Sequence, residues 1–439
     1  MLRTAVFIAT LFAPLSFAKQ NPFSETLACH SSDSNPGVAV RLEQSGEVIY
    51  SGVAGLANIQ HKQQLKLDDV FQIGSVSKQF TAAAILQLAE RGKLKLSNTL
   101  GNFIEGLPKD YAQVTVERML SHTSGLPNYN NDVSVRNRWH VYTNLDDIIK
   151  KIVKQPVIAK SGELFHYSNT GYVLLGKVIE VASGLTYSDY LKTHIFKPTQ
   201  MNSSYVIERG EGETGVTGYT SANDAPFKVD RSWVHASGAI ASTLEDMSRW
   251  HQALTNGKVI SKASYEMMIT PALLNNGETS PYGFGLYNYP ISGKKTINHE
   301  GWIPGFMTWS IYLPENDLYA VAFSNNDAKH PGPLVLDLIA KQLKLSPAPT
   351  TDINKGFTED LIGKYQFTDH RVMTISQENN QVFAQIDDEP KRRLILRADN
   401  SFSFECTENF YRLSNHNNAI TLTPVSLYRG EGQPLRKIL

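Results

Sequence analysis

Cysteine is scarce, and no single sign of charge prevails. The 439 residues include two cysteines, Cys29 and Cys406, with no C-x-x-C pair. That excludes a disulfide scaffold and a cysteine zinc site. The 42 Lys plus Arg cancel the 42 Asp plus Glu, giving zero formal charge. This removes the basic footprint of a nucleic-acid binder. No apolar run reaches the roughly 20 residues of a membrane-spanning helix. Glycine (30) and proline (20) are too few for a collagen-like or broadly disordered chain. There is no internal repeat, no G-x-S-x-G nucleophile elbow and no H-E-x-x-H helix, and the 12 histidines are scattered. No metal and no organic cofactor is implied. What remains is a globular chain of enzyme size, long enough for two or three domains at roughly 150 residues each.

The ends carry their own signals. Arg3, the apolar residues 5–17 and Ser16-Phe17-Ala18 before Lys19 read as a signal peptide over residues 1–18. The expectation is an exported, soluble protein, periplasmic or secreted. A lipid-attachment reading at Leu27-Ala28-Cys29 is weakened by Lys19, Gln20, Asn21 and Glu25, which separate the cysteine from the apolar run. A proline- and threonine-rich seam, residues 346–358, follows an amphipathic stretch at 334–343. Beyond it, Val382, Ala384 and Ile386, then Phe402, Phe404 and Cys406, then Ile420 and Leu422 fall at alternate positions in short runs split by Asn- and Asp-rich turns. That period of two predicts a meander of about eight strands closing into a small barrel.

Before the seam the pattern is mixed. Residues 37–42 and 47–53, joined through Ser45-Gly46, read as a strand pair. Residues 75–91 read as a buried helix ended by Gly92, and 170–182 as another ended by Gly184. Ser242-Thr243-Leu244-Glu245 reads as a capping box opening a third helix, and residues 296–325 return to strands. Strands at both ends with helices between predict an α/β unit whose sheet is built from its two termini, with an inserted helical region.

A serine nucleophile needs a base and donors aimed at the developing oxyanion. Ser-x-x-Lys supplies the pair on one helix face, and it occurs at Ser16–Lys19, Ser75–Lys78 and Ser292–Lys295. Only Ser75-Val76-Ser77-Lys78 opens a strong apolar helix, after Gly74. The plain alternative is that Ser75 is an N-cap. Tyr-x-Asn also occurs three times, at Tyr129–Asn131, Tyr142–Asn144 and Tyr167–Asn169, and the last comes after Ser161-Gly162-Glu163, just before the 170–182 helix, a loop-then-helix context. Its alternative is a core aromatic beside a cap. His299-Glu300-Gly301 lies on a strand, with 299 and 301 on one face. A glycine there leaves room for a substrate backbone, and the Trp302 N–H is a candidate oxyanion donor. The alternative is an ordinary strand end.

Taken in order, Gly74-Ser75-Val76-Ser77-Lys78, Leu120-Ser121-His122-Thr123-Ser124-Gly125-Leu126-Pro127, Tyr167-Ser168-Asn169-Thr170-Gly171-Tyr172, Gly238-Ala239-Ile240-Ala241-Ser242 and His299-Glu300-Gly301-Trp302 resemble the β-lactamase-related serine hydrolases. That family takes in class C β-lactamases, D-alanyl-D-alanine carboxypeptidases, D-aminopeptidases and family VIII carboxylesterases. The resemblance spans residues 35–345. It implies a β-lactamase/transpeptidase-like fold, an antiparallel sheet flanked by helices plus an all-helical subdomain, over residues 19–345. The linker is 346–358, and residues 359–439 resemble an appended lipocalin-like barrel.

The resemblance also implies roles. Ser75 is the nucleophile of an acyl-enzyme, Lys78 takes its proton, and Tyr167 exchanges protons with leaving group and water. Asn169 holds the substrate amide or the lysine, and the N–H groups of Ser75 and Trp302 form the oxyanion hole. His299, Gly301 and Trp302 border the substrate. One departure matters. Where class C β-lactamases and carboxypeptidases carry Lys-Thr-Gly or similar, this chain has His299-Glu300-Gly301. A histidine of pKa about 6.5 is a poorer anchor for a substrate carboxylate than a lysine. The expectation is a peptidase or esterase with weak β-lactamase activity at most, acting on a small molecule or short peptide: a D-amino-acid peptide, a β-lactam or an ester. The alternatives are a β-lactamase or D-Ala-D-Ala carboxypeptidase proper, or a penicillin- or muropeptide-binding sensor without turnover. His122 reads as a structural histidine, and the 282–286 segment as pocket lining. Cys29 and Cys406 either pair or leave Cys406 as a buried thiol.

Overall fold

Valine and leucine alternate through Val38-Ala39-Val40-Arg41-Leu42, and the fold uses both faces of that strand. A computed structural model describes residues 21–345 apart from 213, 222, 223, 227 and 292, and residues 355–438 apart from 406, 408, 417, 418 and 427–429. Strands β1 (Val38–Gln44) and β2 (Glu47–Ala54) form an antiparallel hairpin. Its two-residue turn, Ser45-Gly46, has positive φ at both positions, the mirror-image geometry that matches strand twist. After the helical region the chain returns as β3 (Ile297–Ile303), β4 (Phe306–Leu313) and β5 (Leu318–Ser324). The strands are ordered β2-β1-β5-β4-β3, so the sheet is built from both ends of this unit with β3 at its edge.

Helices cover both faces. Helices α1 (Pro22–His30) and α5 (Gly332–Gln342) bury Leu27, Leu334 and Leu338 against Val40, Leu42, Trp309 and Ile311. The opposite face, with Val321 and Phe323, packs on α2 (Lys78–Glu90), α3 (Asn169–Ser183) and α4 (Leu244–Thr255). Helix α2 is buried on every side from Lys78 to Leu88, as expected of an Ala-, Leu- and Ile-rich helix at a domain centre. Helix α3 ends at Gly184 with φ 74°, the expected left-handed cap. Helix α4 opens one residue later than the sequence pattern suggests. Thr243 is the N-cap, its side chain accepting from the Asp246 N–H, because Ser242 belongs to the strand Ile240–Ser242 and its hydroxyl meets Ser204.

The second unit follows helix Lys355–Leu361, which replaces the last residues of the expected linker; the rest of that linker, and the expected signal peptide, lie outside the described residues. Strands β6 (Gly363–Gln366), β7 (Val372–Glu378), β8 (Gln381–Ile386), β9 (Arg392–Leu396), β10 (Ser401–Phe404), β11 (Phe410–His416) and β12 (Ala419–Ser426) pair in succession. The interrupted strand β13 (Gly430–Glu431) and β14 (Leu435–Lys437) lies beside β12, and β14 returns to β6. The result is a closed antiparallel barrel of eight strands. Val382, Ala384, Phe402 and Leu422 point inward as alternation predicts, and Leu361 plugs the same core. Across a cavity of about 170 Å³, Glu25 and Cys29 of α1 and Lys341 of α5 face Ile395, Ser403 and Phe404. Cys29 is disulfide-bonded, and Cys406, the sequence's other cysteine, lies outside the described residues.

Candidate active site

Two glycines decide how closely the edge strand approaches the start of α2. Residues Phe71–Gln72 pair with Ile240–Ser242, and the Ile73 N–H donates to the Ile240 carbonyl at 3.0 Å, which delivers the chain into a 3₁₀ turn, Gly74–Ser77. Gly74 has φ 51°, and a Cβ on it would stand 2.9 Å from the Trp302 nitrogen. A Cβ on Gly301 would stand 2.0 Å from the Ile73 carbonyl oxygen. The space beside Gly301 is therefore filled by the protein's own turn, which corrects the expectation that it is left for a substrate backbone. The glycines let β3 lie directly on the turn carrying Ser75.

Ser75 lies in that turn and Lys78, three residues on, opens α2, so the two side chains share one face. Ser75 caps neither the turn, whose N-cap is Ile73, nor α2, whose N-cap is Ser77. Its side chain is partly exposed, while Lys78 is fully buried. Lys78 Nζ lies 3.1 Å from Ser75 Oγ, 2.7 Å from Asn169 Oδ1 and 2.8 Å from the Ser237 carbonyl oxygen. Among the described residues no carboxylate pairs with it. Burial holds its pKa well below the ordinary lysine value. Two of its partners are carbonyl oxygens, which only accept. Once the amine is neutral its two hydrogens go to them, and the lone pair faces Ser75 Oγ, the one partner with a proton to give.

Tyr167 and Asn169 arrive on the approach to α3, Asn169 as its first residue. The Lys78 amine sits 4.9 Å from the Tyr167 ring centre and 5.4 Å from that of Tyr172. Tyr167 retains some exposed surface, yet burial raises its phenol well above the usual range, partly offset by hydrogen bonding to Ser75. It is a proton donor at rest. His122, with φ 58°, holds this segment in place. Its Nδ1 accepts from the Ser168 N–H at 3.1 Å and its carbonyl accepts from the His166 N–H. Burial, then the Lys78 charge, keeps the imidazole neutral.

The structure brings His299, Gly301 and Trp302 to the same place along β3. The His299 ring is 1% exposed, and both nitrogens have protein partners. Nδ1 lies 2.6 Å from the Glu300 carbonyl oxygen, which can only accept, so Nδ1 carries the proton. Nε2 then accepts from the Tyr282 hydroxyl at 2.8 Å. Burial, then Lys78, lowers the His299 pKa to about 3. The ring is neutral at physiological pH and offers no positive charge. Trp302 turns its side chain outward, 48% exposed, and leaves its backbone against Gly74.

Two participants escaped the sequence. Ser237 contributes a backbone carbonyl, which has no side-chain signature, although it immediately precedes the Gly238–Ser242 string. Tyr282 was expected only to line the pocket, and its bond to His299 joins segments that sequence cannot show to be adjacent.

Residues 23–344 match the family model described as Beta-lactamase. The chain is 28% identical over 389 residues to penicillin-binding protein 4* of Bacillus subtilis, covering 82% of this chain and 86% of that protein. A penicillin-binding protein homologue from Pyrococcus abyssi, an octamer, matches 94% of this chain and 98% of its own with TM-score 0.63 at 23% identity. The D-amino acid amidase of Ochrobactrum anthropi SV3 superposes with TM-score 0.63 at 23% identity, over 73% of this chain and 99% of its own.

Proposed function

The chain belongs to the Beta-lactamase family and is a serine hydrolase, and from that premise we propose that it cleaves D-amino-acid amides and small esters through an acyl-enzyme on Ser75, with weak β-lactam turnover at most. The observation that carries this is the arrangement around Lys78: an amine without a carboxylate partner among the described residues, its pKa lowered by burial, and a lone pair that faces the Ser75 hydroxyl.

As Ser75 Oγ attacks the substrate carbonyl, its proton passes to Lys78 Nζ. The Oγ–C bond forms and the carbonyl becomes an oxyanion, held by the N–H groups of Ser75 and Trp302. When the C–N or C–O bond breaks, Tyr167 protonates the leaving group, and the adjacent Lys78 ammonium returns a proton to the phenolate. Water then attacks the acyl-enzyme, giving its proton to this pair, and Ser75 leaves reprotonated. The neutral His299 supplies no fixed charge for a substrate carboxylate, which supports poor handling of penicillins and of C-terminal acids. The D-amino acid amidase likeness supports amide substrates.

The penicillin-binding relative favours a second reading, a penicillin acceptor that does not turn over. Export is part of the proposal, since the disulfide at Cys29 suits an oxidising compartment. The test is kcat/KM on a D-amino-acid p-nitroanilide, p-nitrophenyl butyrate and a chromogenic cephalosporin, with Ser75→Ala as control. The cephalosporin is expected to be the poorest substrate. Equal or better turnover of it refutes the proposal, and stoichiometric penicillin labelling without turnover of any substrate favours the acceptor.

A further inference from the structure

A cavity of about 490 Å³ lies apart from the site above, and none of Ser75, Lys78, Tyr167 and Asn169 lines it. Its size is that of a small-molecule site, typically about 300–1,000 Å³. Its wall includes Arg231, which is 3% exposed, the most buried charged side chain there. Two of the guanidinium nitrogens are anchored: Nε donates to Gln72 Oε1, and Nη1 to the Val229 carbonyl at 2.7 Å. Nη2 has no partner among the described residues, and no carboxylate there comes within 4.0 Å of the group. A buried guanidinium without an ion-paired partner is costly: burial lowers its pKa to about 10, and the more distant Glu211 and Asp230 carboxylates offset this only in part.

The rest of the wall suits a planar group carrying one negative charge. Tyr142, 44% exposed, holds the Arg209 guanidinium 4.3 Å from its ring centre. The carboxylates there do not supply the missing anion. Glu180 is occupied by His235 Nε2 at 3.7 Å and the Tyr187 N–H at 3.2 Å, and Glu208 is on the exposed rim.

We propose that this cavity is a binding site for a small carboxylate, separate from the hydrolytic centre, with the carboxylate on Arg231 Nη2 and the ligand body against Tyr142.

The experiment is calorimetric titration of the full chain with sodium benzoate, and with benzamide, which has the same shape without the charge. Benzoate is expected to bind one to one, at least about tenfold tighter than benzamide, as a charge-assisted contact requires. Arg231→Gln is expected to weaken benzoate about tenfold, and Ser75→Ala to leave it unchanged. No benzoate binding, equal binding of benzamide, or binding lost in Ser75→Ala and kept in Arg231→Gln overturns the proposal. Should Arg231→Gln fail to fold by circular dichroism, Tyr142→Ala decides, at an exposed side chain. A loss of about threefold supports the site, on the scale of an aromatic pair, and an unchanged affinity refutes it.

Discussion

A neutral amine carries two hydrogens and one lone pair, and Lys78 has three partners for them. Its folded pKa lies below the unfolded value of 10.5, so between the two the unfolded chain binds more protons. The sign follows: this group's contribution to stability rises with pH across that window, and so does the fraction of Lys78 able to take a proton. The rate of Ser75 labelling by a fluorophosphonate is therefore expected to climb with pH toward a plateau, and a flat profile would argue against Lys78 as base. Lys78→Met is expected to slow labelling by roughly 10²–10⁴-fold and to remove that rise. Tyr167 gives a complementary test. Its proton matters for a leaving amine and little for p-nitrophenolate, so Tyr167→Phe should cut anilide turnover by roughly 10²-fold or more and ester turnover far less. Equal losses on the two substrates would remove its role as acid. The residues with side-chain motifs, Ser75, Lys78, Tyr167, Asn169 and His299, were legible because their chemistry repeats in recognisable strings. Ser237 was not, because a carbonyl belongs to every residue.

At the scale of elements, the hydrolytic site depends on the closeness of β3 to the Gly74–Ser77 turn. Gly301→Ala puts a methyl group 2.0 Å from the Ile73 carbonyl oxygen, and neither backbone can retreat easily from a paired strand. The expected cost is about 1–3 kcal/mol of stability, measured by denaturant unfolding, together with loss of Ser75 labelling. An alanine variant with full activity would mean that the turn and strand are not coupled as described. The pattern in the sequence located β3, α3 and α2 because strand alternation and apolar helices announce themselves. It missed that Ser75 sits in a 3₁₀ turn and that Thr243 caps α4. Those details are decided by contacts with Trp302 and with Ser204, which come from distant segments.

The molecule as a whole has two units, each with its own apolar interior: the five-stranded sheet is packed on both faces, and the barrel is filled inside. Each can melt on its own, so calorimetry is expected to resolve two transitions, and a single one would show tighter coupling of the units. The disulfide at Cys29 constrains the unfolded chain. Cys29→Ser is expected to cost about 2–4 kcal/mol, read as a lowered midpoint under non-reducing conditions and absent when wild type is compared under reductant. The barrel's strand count and its closure were both expected from the alternation of its short runs; which strands close it was not, because the pairing of β6 with β14 joins residues some 70 positions apart in the chain. That closure has a practical outcome. Among the described strands, β6 to β12 and β14 are each flanked on both sides and the two-residue β13 on one, so a barrel severed from the sheet unit by a protease would expose little ladder for another copy to extend, and the fragment should stay dispersed instead of seeding fibres.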